Sequence, residues 1–301
     1  MSEPGLRWAA VVVNYEAGPL LTACVRSLLA DRSAGEPEVV VVDNGSSDGS
    51  TAMLGRELPG EVSGVRVLEP GTNLGYAGGA NRGIAATHAP IVAVCNSDIE
   101  VAFGTGAAML ARFDAEPDLA ALGPVIRNPD GSQYPSARAV PSAGDALGHA
   151  LFGLVRPANR FTRRYRQLGV DPAAPRDVEW LSGAAIWLRR SALESVGGWD
   201  ERYFMYLEDV DLCWRLRRAG WRVAYEPGGT VVHVQAVSTD RHPYRMIIRH
   251  HRSAYRFAAQ RWRGARRLLL VPAAALLLVR AGAMIVVRAL GARPGRARVT
   301  G

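Results

Sequence analysis

The sequence predicts an α/β fold, a mostly parallel β-sheet flanked by helices, ending in a helical C-terminal region of different composition. Three observations carry this expectation. Up to about residue 125, short β-rich runs alternate with longer helical stretches, the order that builds parallel βαβ units. The runs "WAAVVV" (8–13), "EVVVVD" (38–43) and "IVAVCN" (91–96) are almost unbroken in apolar residues, so their strands are buried on both faces. All 36 basic side chains are arginine, and 14 of them fall in residues 241–301, which contain no acid. Residues 1–240 hold 22 arginines against all 28 acids, a net −6, so the chain's formal +8 belongs to its C-terminal region. A division into 1–240 and 241–301 is therefore expected.

Taken in order, the strands end on polar residues: Asn14 and Tyr15 after the first, Asp43 and Asn44 after the second, and Asn96, Ser97 and Asp98 after the run at 91–96. "VRVLEP" (65–70) is a further strand. Ligands of open α/β sheets bind beyond the carboxyl ends of the strands, so topology places the site there. "NLGYAGGANRGI" (73–84) packs four glycines around Tyr76 and Asn81 and is expected as a loop whose backbone approaches a ligand closely. It departs from GxGxxG, which disfavours a dinucleotide enzyme. From 127 to 177 periodicity is lost and Pro, Gly and Arg accumulate, predicting a long, mobile loop bordering the site. A strand, a turn and a short helix follow over 178–204, and "WRVAYEP" and "TVVHVQ" are expected as strands near the end of the domain.

Between them, "YFMYLEDVDLCWRL" (203–216) sets Glu208, Asp209 and Asp211 directly behind an apolar run. A helix from near Glu208 to about Ala219, stopped by Gly220, would hold the acids in its first turn as caps. Capping needs only one or two of them, which leaves a chemical role open. Asp98 at a strand end is either the anchor of an Asx turn or a ligand through which a hard divalent cation reaches a diphosphate. His233 is either a hydrogen-bonded core residue or a nitrogen ligand.

Cys24, Cys95 and Cys213 are far apart and fit no CxxC spacing, so neither a disulfide framework nor a zinc site is indicated. The apolar run at 8–13 is too short for the core of a signal peptide, and the chain is expected in the cytosol or on its membrane face. A basic tail suits nucleic acid or an anionic membrane, and its apolar content decides for the membrane. "RRLLLVPAAALLLVRAGAMIVVR" (266–288) approaches spanning length but contains Pro272 and Arg280. A mid-span arginine costs about 2.5–3.5 kcal/mol, which favours an interfacial or re-entrant helix over a span, with a buried helix as the other alternative.

The motifs "VVVNYEAGPLLTACVRSLL", "VVDNGSSDGS", "NLGYAGGANRGI", "NSDIEV" and "WLSGAAIWLRRSALESVGGWDERYFMYLEDVDLCWRLRRAGW" together resemble glycosyltransferase family 2, the GT-A fold with its Rossmann-like sheet, in the rhamnosyltransferase branch. The likeness runs from about Trp8 to Thr239. "ALGPVIRNPDGSQYPSAR" and "GGWDERYFMYLEDVDL" are most similar to the actinobacterial rhamnosyltransferases of cell-wall linker assembly.

The resemblance implies an inverting enzyme that moves L-rhamnose from dTDP-L-rhamnose to polyprenyl-diphospho-N-acetylglucosamine of the arabinogalactan–peptidoglycan linker, at the cytoplasmic face of the cell membrane. It implies that Tyr15, Asp43, Asn81, Asn96 and Asp98 bind the donor nucleotide. Asp98 and His233 are implied to hold Mg²⁺ or Mn²⁺, with Asn96 standing where the family's DxD motif has its first Asp. Asp209 matches the family's base, supported by Glu208 and Asp211, and Trp180, Trp199 and Tyr203 border the acceptor. Two rival readings remain: another donor, mannose or galactofuranose, or a non-catalytic membrane or nucleic-acid binding protein that retains the fold. The intact set Asp43, Asp98 and Asp209 argues against the second.

Overall fold

The computed structural model describes residues 6–58, 64–139, 171, 173–234 and 243–291. The first half is βαβα as expected. Strands β1 (Trp8–Asn14), β2 (Glu38–Asp43), β3 (Val65–Leu68) and β4 (Ile91–Asn96) run parallel in the order β3-β2-β1-β4. Helices α1 (Leu20–Ala30), α2 (Ser50–Glu57) and α3 (Gly75–Ile84) connect them.

Every residue of β1 is buried, and alternate side chains feed two cores. Val11 and Val13 join Tyr76, Ala77 and Ala80 on one face. Ala10 and Val12 join Leu21, Cys24, Val25 and Leu28 of α1 on the other, the buried stripe that helical periodicity requires. The same second core takes Met109, Leu110 and Phe113 from α4 (Thr105–Ala115).

Beyond β4 the sheet becomes mixed. β5 (Ile99–Val101) and β6 (Leu119–Arg127) are followed by the short β7 (Gln133–Tyr134), β8 (Ala137–Arg138), β9 (Arg176–Asp177) and β10 (Trp180–Leu181). β11 (Ala185–Arg189) runs antiparallel to both β4 and β6. The helices α5 (Arg190–Ser195) and α6 (Glu208–Arg218) lead into β12 (Arg222–His233). "WRVAYEP" and "TVVHVQ" are thus one strand, parallel to β6, with a register shift between Glu226 and Thr230 where Pro227, Gly228 and Gly229 intervene. The expected loop at 127–177 is described only at its ends, as β7, β8 and β9; residues 140–170 lie outside the described residues.

The glycine-rich segment is a correction. Residues 75–84 form α3 instead of a loop, and the glycines serve packing. A Cβ on Gly83 would lie 2.3 Å from Val11 Cγ1 and 3.0 Å from Val42 Cγ2, so only glycine lets α3 settle onto β1 and β2. Tertiary contact here outweighs the poor helix propensity of four glycines.

The C-terminal region is two helices, α7 (Pro243–Arg261) and α8 (Leu270–Ala289), joined through a 3₁₀ turn at Gly264–Leu269. α7 packs on the sheet domain: Phe257 enters the first core, edge-on to Trp214, and Ser253 Oγ donates to Met205 O at 3.1 Å. α8 buries none of its residues, and Leu268, Val271, Leu278 and Val279 are more than 70% exposed. Among the described residues, Gly264–Ala289 is long and apolar enough to cross a membrane by length and composition, and its most apolar 18 residues have a mean hydropathy of 2.3. Arg280 turns toward α7, where one of its guanidinium N–H groups donates to His251 Nε2 at 3.0 Å while His251 Nδ1–H donates to Ile247 O at 2.7 Å.

Candidate active site

A cavity of about 660 Å³ opens beyond the carboxyl ends of β1 and β4. One wall is made of strand ends. Asn14 closes β1 by donating its amide to Asp43 Oδ1 at 2.8 Å and to Ser50 Oγ at 2.9 Å. Asp43 also takes Ser46 N–H at 3.2 Å. The next residues fold against that turn: Glu16, at φ 56°, accepts Ser47 N–H and Oγ–H, each at 2.8 Å, and Gly18 N–H donates to Asp48 Oδ2 at 2.7 Å. These bonds hold Tyr15 at the cavity wall.

At the end of β4, Asn96, Ser97 and Asp98 face the last residue of β12, because β12 pairs with β5 at His233↔Ile99. His233 Nε2 lies 3.1 Å from Asp98 Oδ1 and 3.2 Å from Asn96 Nδ2. One ring nitrogen cannot both donate to the carboxylate and accept from the amide. A cation seated between Asp98 and His233 removes that conflict, and one carboxylate, one imidazole and substrate oxygens suit a hard divalent ion. The residues fit such an ion, although no group of three His, Cys, Asp or Glu converges among the described residues.

A loop and two helices make the rest of the wall. Tyr206 and Leu207 are non-glycine residues at φ 70° and 64°, a left-handed conformation that costs of order 1–3 kcal/mol each. Neighbours hold the loop in place. Tyr76 N–H donates to Phe204 O at 2.9 Å, and His250 of α7 meets the Tyr206 ring edge-to-face with centroids 5.4 Å apart. Gly75, at φ +75°, leaves room for this approach, since a Cβ there would lie 2.3 Å from Phe204 O. The strained turn starts α6 with Glu208 and Asp209 on the cavity wall.

Asp209 accepts Gly183 N–H at 3.0 Å and Val210 N–H at 2.8 Å, and the Tyr76 hydroxyl donates to Gly183 O, fixing that turn from behind. Burial raises the Asp209 pKa above the ordinary carboxylate range, and the two N–H donors oppose the shift. Glu208 is pushed well up, first by burial and then by the Asp209 charge, and its Oε2 has no hydrogen-bond partner among the described residues. A buried carboxylate with a raised pKa on the wall of a polar cleft is able to accept a proton from a bound hydroxyl.

Residues 9–197 match glycosyl transferase family 2, and residues 157–292 match glycosyl transferase family group 2. The chain belongs to glycosyl transferase family 2. It is 42% identical over 267 residues to the N-acetylglucosaminyl-diphospho-decaprenol L-rhamnosyltransferase of Mycobacterium tuberculosis, covering 84% of each chain. Among solved structures, the mannosyltransferase PcManGT from Pyrobaculum calidifontis, in complex with GDP-Man and Mn²⁺, aligns with TM-score 0.55 and 17% identity over 96% of this chain and 76% of that one. GalNAc-T7 with UDP, GalNAc and Mn²⁺ aligns with TM-score 0.57 and 15% identity, covering 79% and 45%. The fold is GT-A.

In this glycosyltransferase the sequence-predicted residues separate by place. Tyr15, Asn96, Asp98, His233, Trp180, Glu208 and Asp209 line the cavity. Asp43 sits behind Asn14, 6% exposed. Asn81 lies off the cavity wall: its amide donates to Trp199 O and Glu201 Oε1, both at 2.9 Å, and its Oδ1 accepts Trp199 N–H at 3.0 Å. Asp211 is fully buried on the far side of α6 and pairs with Arg215 Nε at 2.7 Å. Arg215 in turn donates to Val196 O and Gly198 O, both at 2.8 Å, which holds the helix. Trp199 and Tyr203 are core residues, Trp199 edge-on to Tyr76 and Tyr203 bonded through its hydroxyl to Gln260 at 3.1 Å.

Sequence reasoning missed several wall residues. Arg138 stacks over Trp180 and Tyr134, 5.1 and 5.3 Å from the ring centroids. Arg245, Met246, Arg249 and His250 of α7 complete the cavity. Their signal in the sequence is the i, i+4 spacing of Arg245 and Arg249 in a helix without acids.

Proposed function

We propose that this glycosyltransferase moves L-rhamnose from dTDP-L-rhamnose to polyprenyl-diphospho-N-acetylglucosamine, with inversion, at the cytosolic membrane face. The observation that carries it is that Asp209 and the Asp98–His233 pair line one cavity, in a chain 42% identical to a rhamnosyltransferase of that acceptor class. Tyr15 holds the base of the donor, with Asp43 bracing that side through Asn14 and Ser46, and Asn96 and Asp98 lie at its diphosphate. Asn81 supports this side by tying α3 to Trp199.

Asp209 takes the proton of the acceptor hydroxyl, whose oxygen bonds to C1 of the sugar as the C1–O bond to the diphosphate breaks on the opposite face. Burial makes Asp209 a stronger base than a free aspartate, and Glu208 and Asp211 hold its helix. Asp98 and His233 would hold the divalent ion, Mg²⁺ or Mn²⁺, which when bound neutralises charge on the leaving diphosphate. The two solved neighbours contain Mn²⁺. Trp180, beside Arg138, borders the acceptor. α8 lies at the membrane surface, where its exposed apolar side chains meet lipid and the arginines on either side of it meet anionic headgroups.

The test offers purified full-length protein a defined lipid acceptor with dTDP-rhamnose, a mannose donor and a galactofuranose donor, read by mass spectrometry. Rhamnose alone should be added, turnover should stop in excess chelator, and Mg²⁺ or Mn²⁺ should restore it. Transfer of a different sugar overturns the donor assignment, and full activity in chelator overturns the metal.

A further inference from the structure

α7 reaches the cavity with one face. Arg245, Met246, Arg249 and His250 line it from consecutive turns. Arg249 is fixed there: its guanidinium lies 3.3 Å from the ring centroid of Phe204, in the strained segment that precedes α6. Burial and then the charge of Arg245, one turn away, pull the Arg249 pKa below the usual arginine range, against a smaller opposing effect of Tyr15. An anion between the two side chains relieves both effects. Neither arginine has a carboxylate partner among the described residues, and residues 241–301 contain no acid.

The proposed reaction brings two diphosphates to one cavity, whose wall already carries Asp98, Glu208 and Asp209. The donor's diphosphate belongs at the strand-end wall with Asp98 and His233. The acceptor's needs cations elsewhere, and α7 supplies them on the element that continues into the exposed apolar helix α8. We infer that Arg245 and Arg249 bind the diphosphate of the lipid-linked acceptor, so that its sugar faces Asp209 while its chain leaves along α8. Guanidinium groups suit this task because their planar donor forks match phosphate oxygens. The inference rests on the proposed acceptor class and on no particular donor sugar.

The experiment is equilibrium binding to the full-length chain in detergent micelles, with farnesyl diphosphate as the lipid probe and dTDP as the nucleotide probe. In the Arg245→Gln/Arg249→Gln double variant, the Kd for farnesyl diphosphate should rise about 30-fold or more through lost charge-assisted hydrogen bonds. The Kd for dTDP should rise far less, by no more than about threefold, because its diphosphate is assigned to Asp98 and His233 and only Tyr15 among its contacts acts on Arg249. Arg252→Gln removes the same charge from α7 at a residue outside the cavity and should change neither value. If the double variant fails to fold, Arg245→Gln alone carries the test, since Arg245 is exposed. Loss of dTDP binding with unchanged farnesyl diphosphate binding assigns the arginines to the donor and overturns the inference, as does no change in either. Wild-type protein that binds farnesyl diphosphate through these arginines yet transfers no rhamnose refutes the proposed function and leaves the clamp standing.

Discussion

One wall of the cavity is made from the carboxyl ends of buried strands, and the other from a strained loop and the helix of a basic C-terminal region. The strand-end wall is held by backbone ladders and short polar bonds such as Asn14–Asp43, so its groups are preorganised by the core of the domain. The helical wall depends on contacts between distant segments: Gly75 against Phe204, Ser253 on Met205, His250 against Tyr206. The difference teaches a division of labour. In the proposed reaction the rigid wall would take the nucleotide diphosphate and its metal, and the assembled wall a lipid-borne acceptor that must be aligned with Asp209.

Breaking each wall at its chemical centre should give opposite kinetic signatures. Asp209→Asn keeps the shape of the helical wall but cannot take a proton, and turnover should fall about 100-fold or more with donor binding little changed. On the strand-end wall, His233→Ala should raise the metal concentration needed for half-maximal rate while turnover at saturating metal is largely kept. Titration calorimetry with dTDP and rate measurements across metal concentrations check both. If Asp209 only caps α6, the Asn variant should instead lose about 0.5–2 kcal/mol of stability with near-normal turnover.

Two truncations sharpen where the helical wall ends. Removing residues 264–301 deletes α8 and leaves α7 in place, so dTDP binding and the thermal midpoint should be nearly unchanged while liposome binding is lost. Removing everything from residue 243 onward also withdraws Phe257 from the core, a change of about 3 kcal/mol for the aromatic side chain alone, together with the Ser253–Met205 and Tyr203–Gln260 bonds. The longer cut should lower the melting temperature and disturb the loop ahead of Glu208. Equal behaviour of the two truncations would show that α7 adds nothing to the catalytic domain.

The two walls also differed in how far the sequence disclosed them. Unbroken Val and Ile runs betray buried parallel strands, and polar residues at their ends follow from topology, so Tyr15, Asp43, Asn96 and Asp98 were locatable from local pattern. Glu208 and Asp209 stood out because acids beside an apolar run need a reason. The helical wall is built from long-range contacts, which periodicity does not carry. Four glycines in α3 read as a loop because propensity opposes a helix, and only the close packing of Gly83 on Val11 explains them. Trp199 and Tyr203 read as sugar-facing aromatics, yet they fill the core behind the site. Arg245 and Arg249 were hidden inside a charge-rich tail, where a run of arginines reads as a solvated or lipid-facing surface.

The smallest expected effect concerns Glu208, the group on the helical wall with the least compensation. Burial and the neighbouring Asp209 raise its pKa well above its ordinary value of 4.5, and its Oε2 has no partner among the described residues. A carboxylate whose folded-state pKa is raised stabilises the fold while it is protonated, and that contribution is lost as pH rises through the folded pKa. Below pH 4.5 the residue is neutral in both folded and unfolded chains, so Glu208→Gln should melt at nearly the wild-type temperature. As pH rises the wild type must either hold a proton or bury a charge, whereas Gln does neither. The variant should therefore gain on the wild type, by about 2–4 °C near neutral pH if relieving the buried oxygen is worth about 1 kcal/mol. Thermal unfolding of both proteins between pH 4 and 8 measures this difference. A gap that is constant with pH would mean that the Glu208 pKa is the same in the folded and unfolded chain, and one that grows on acidification would mean that Glu208 is held as a charged group by a cation on the helical wall. The clamp arginines of α7 would then be the place to look.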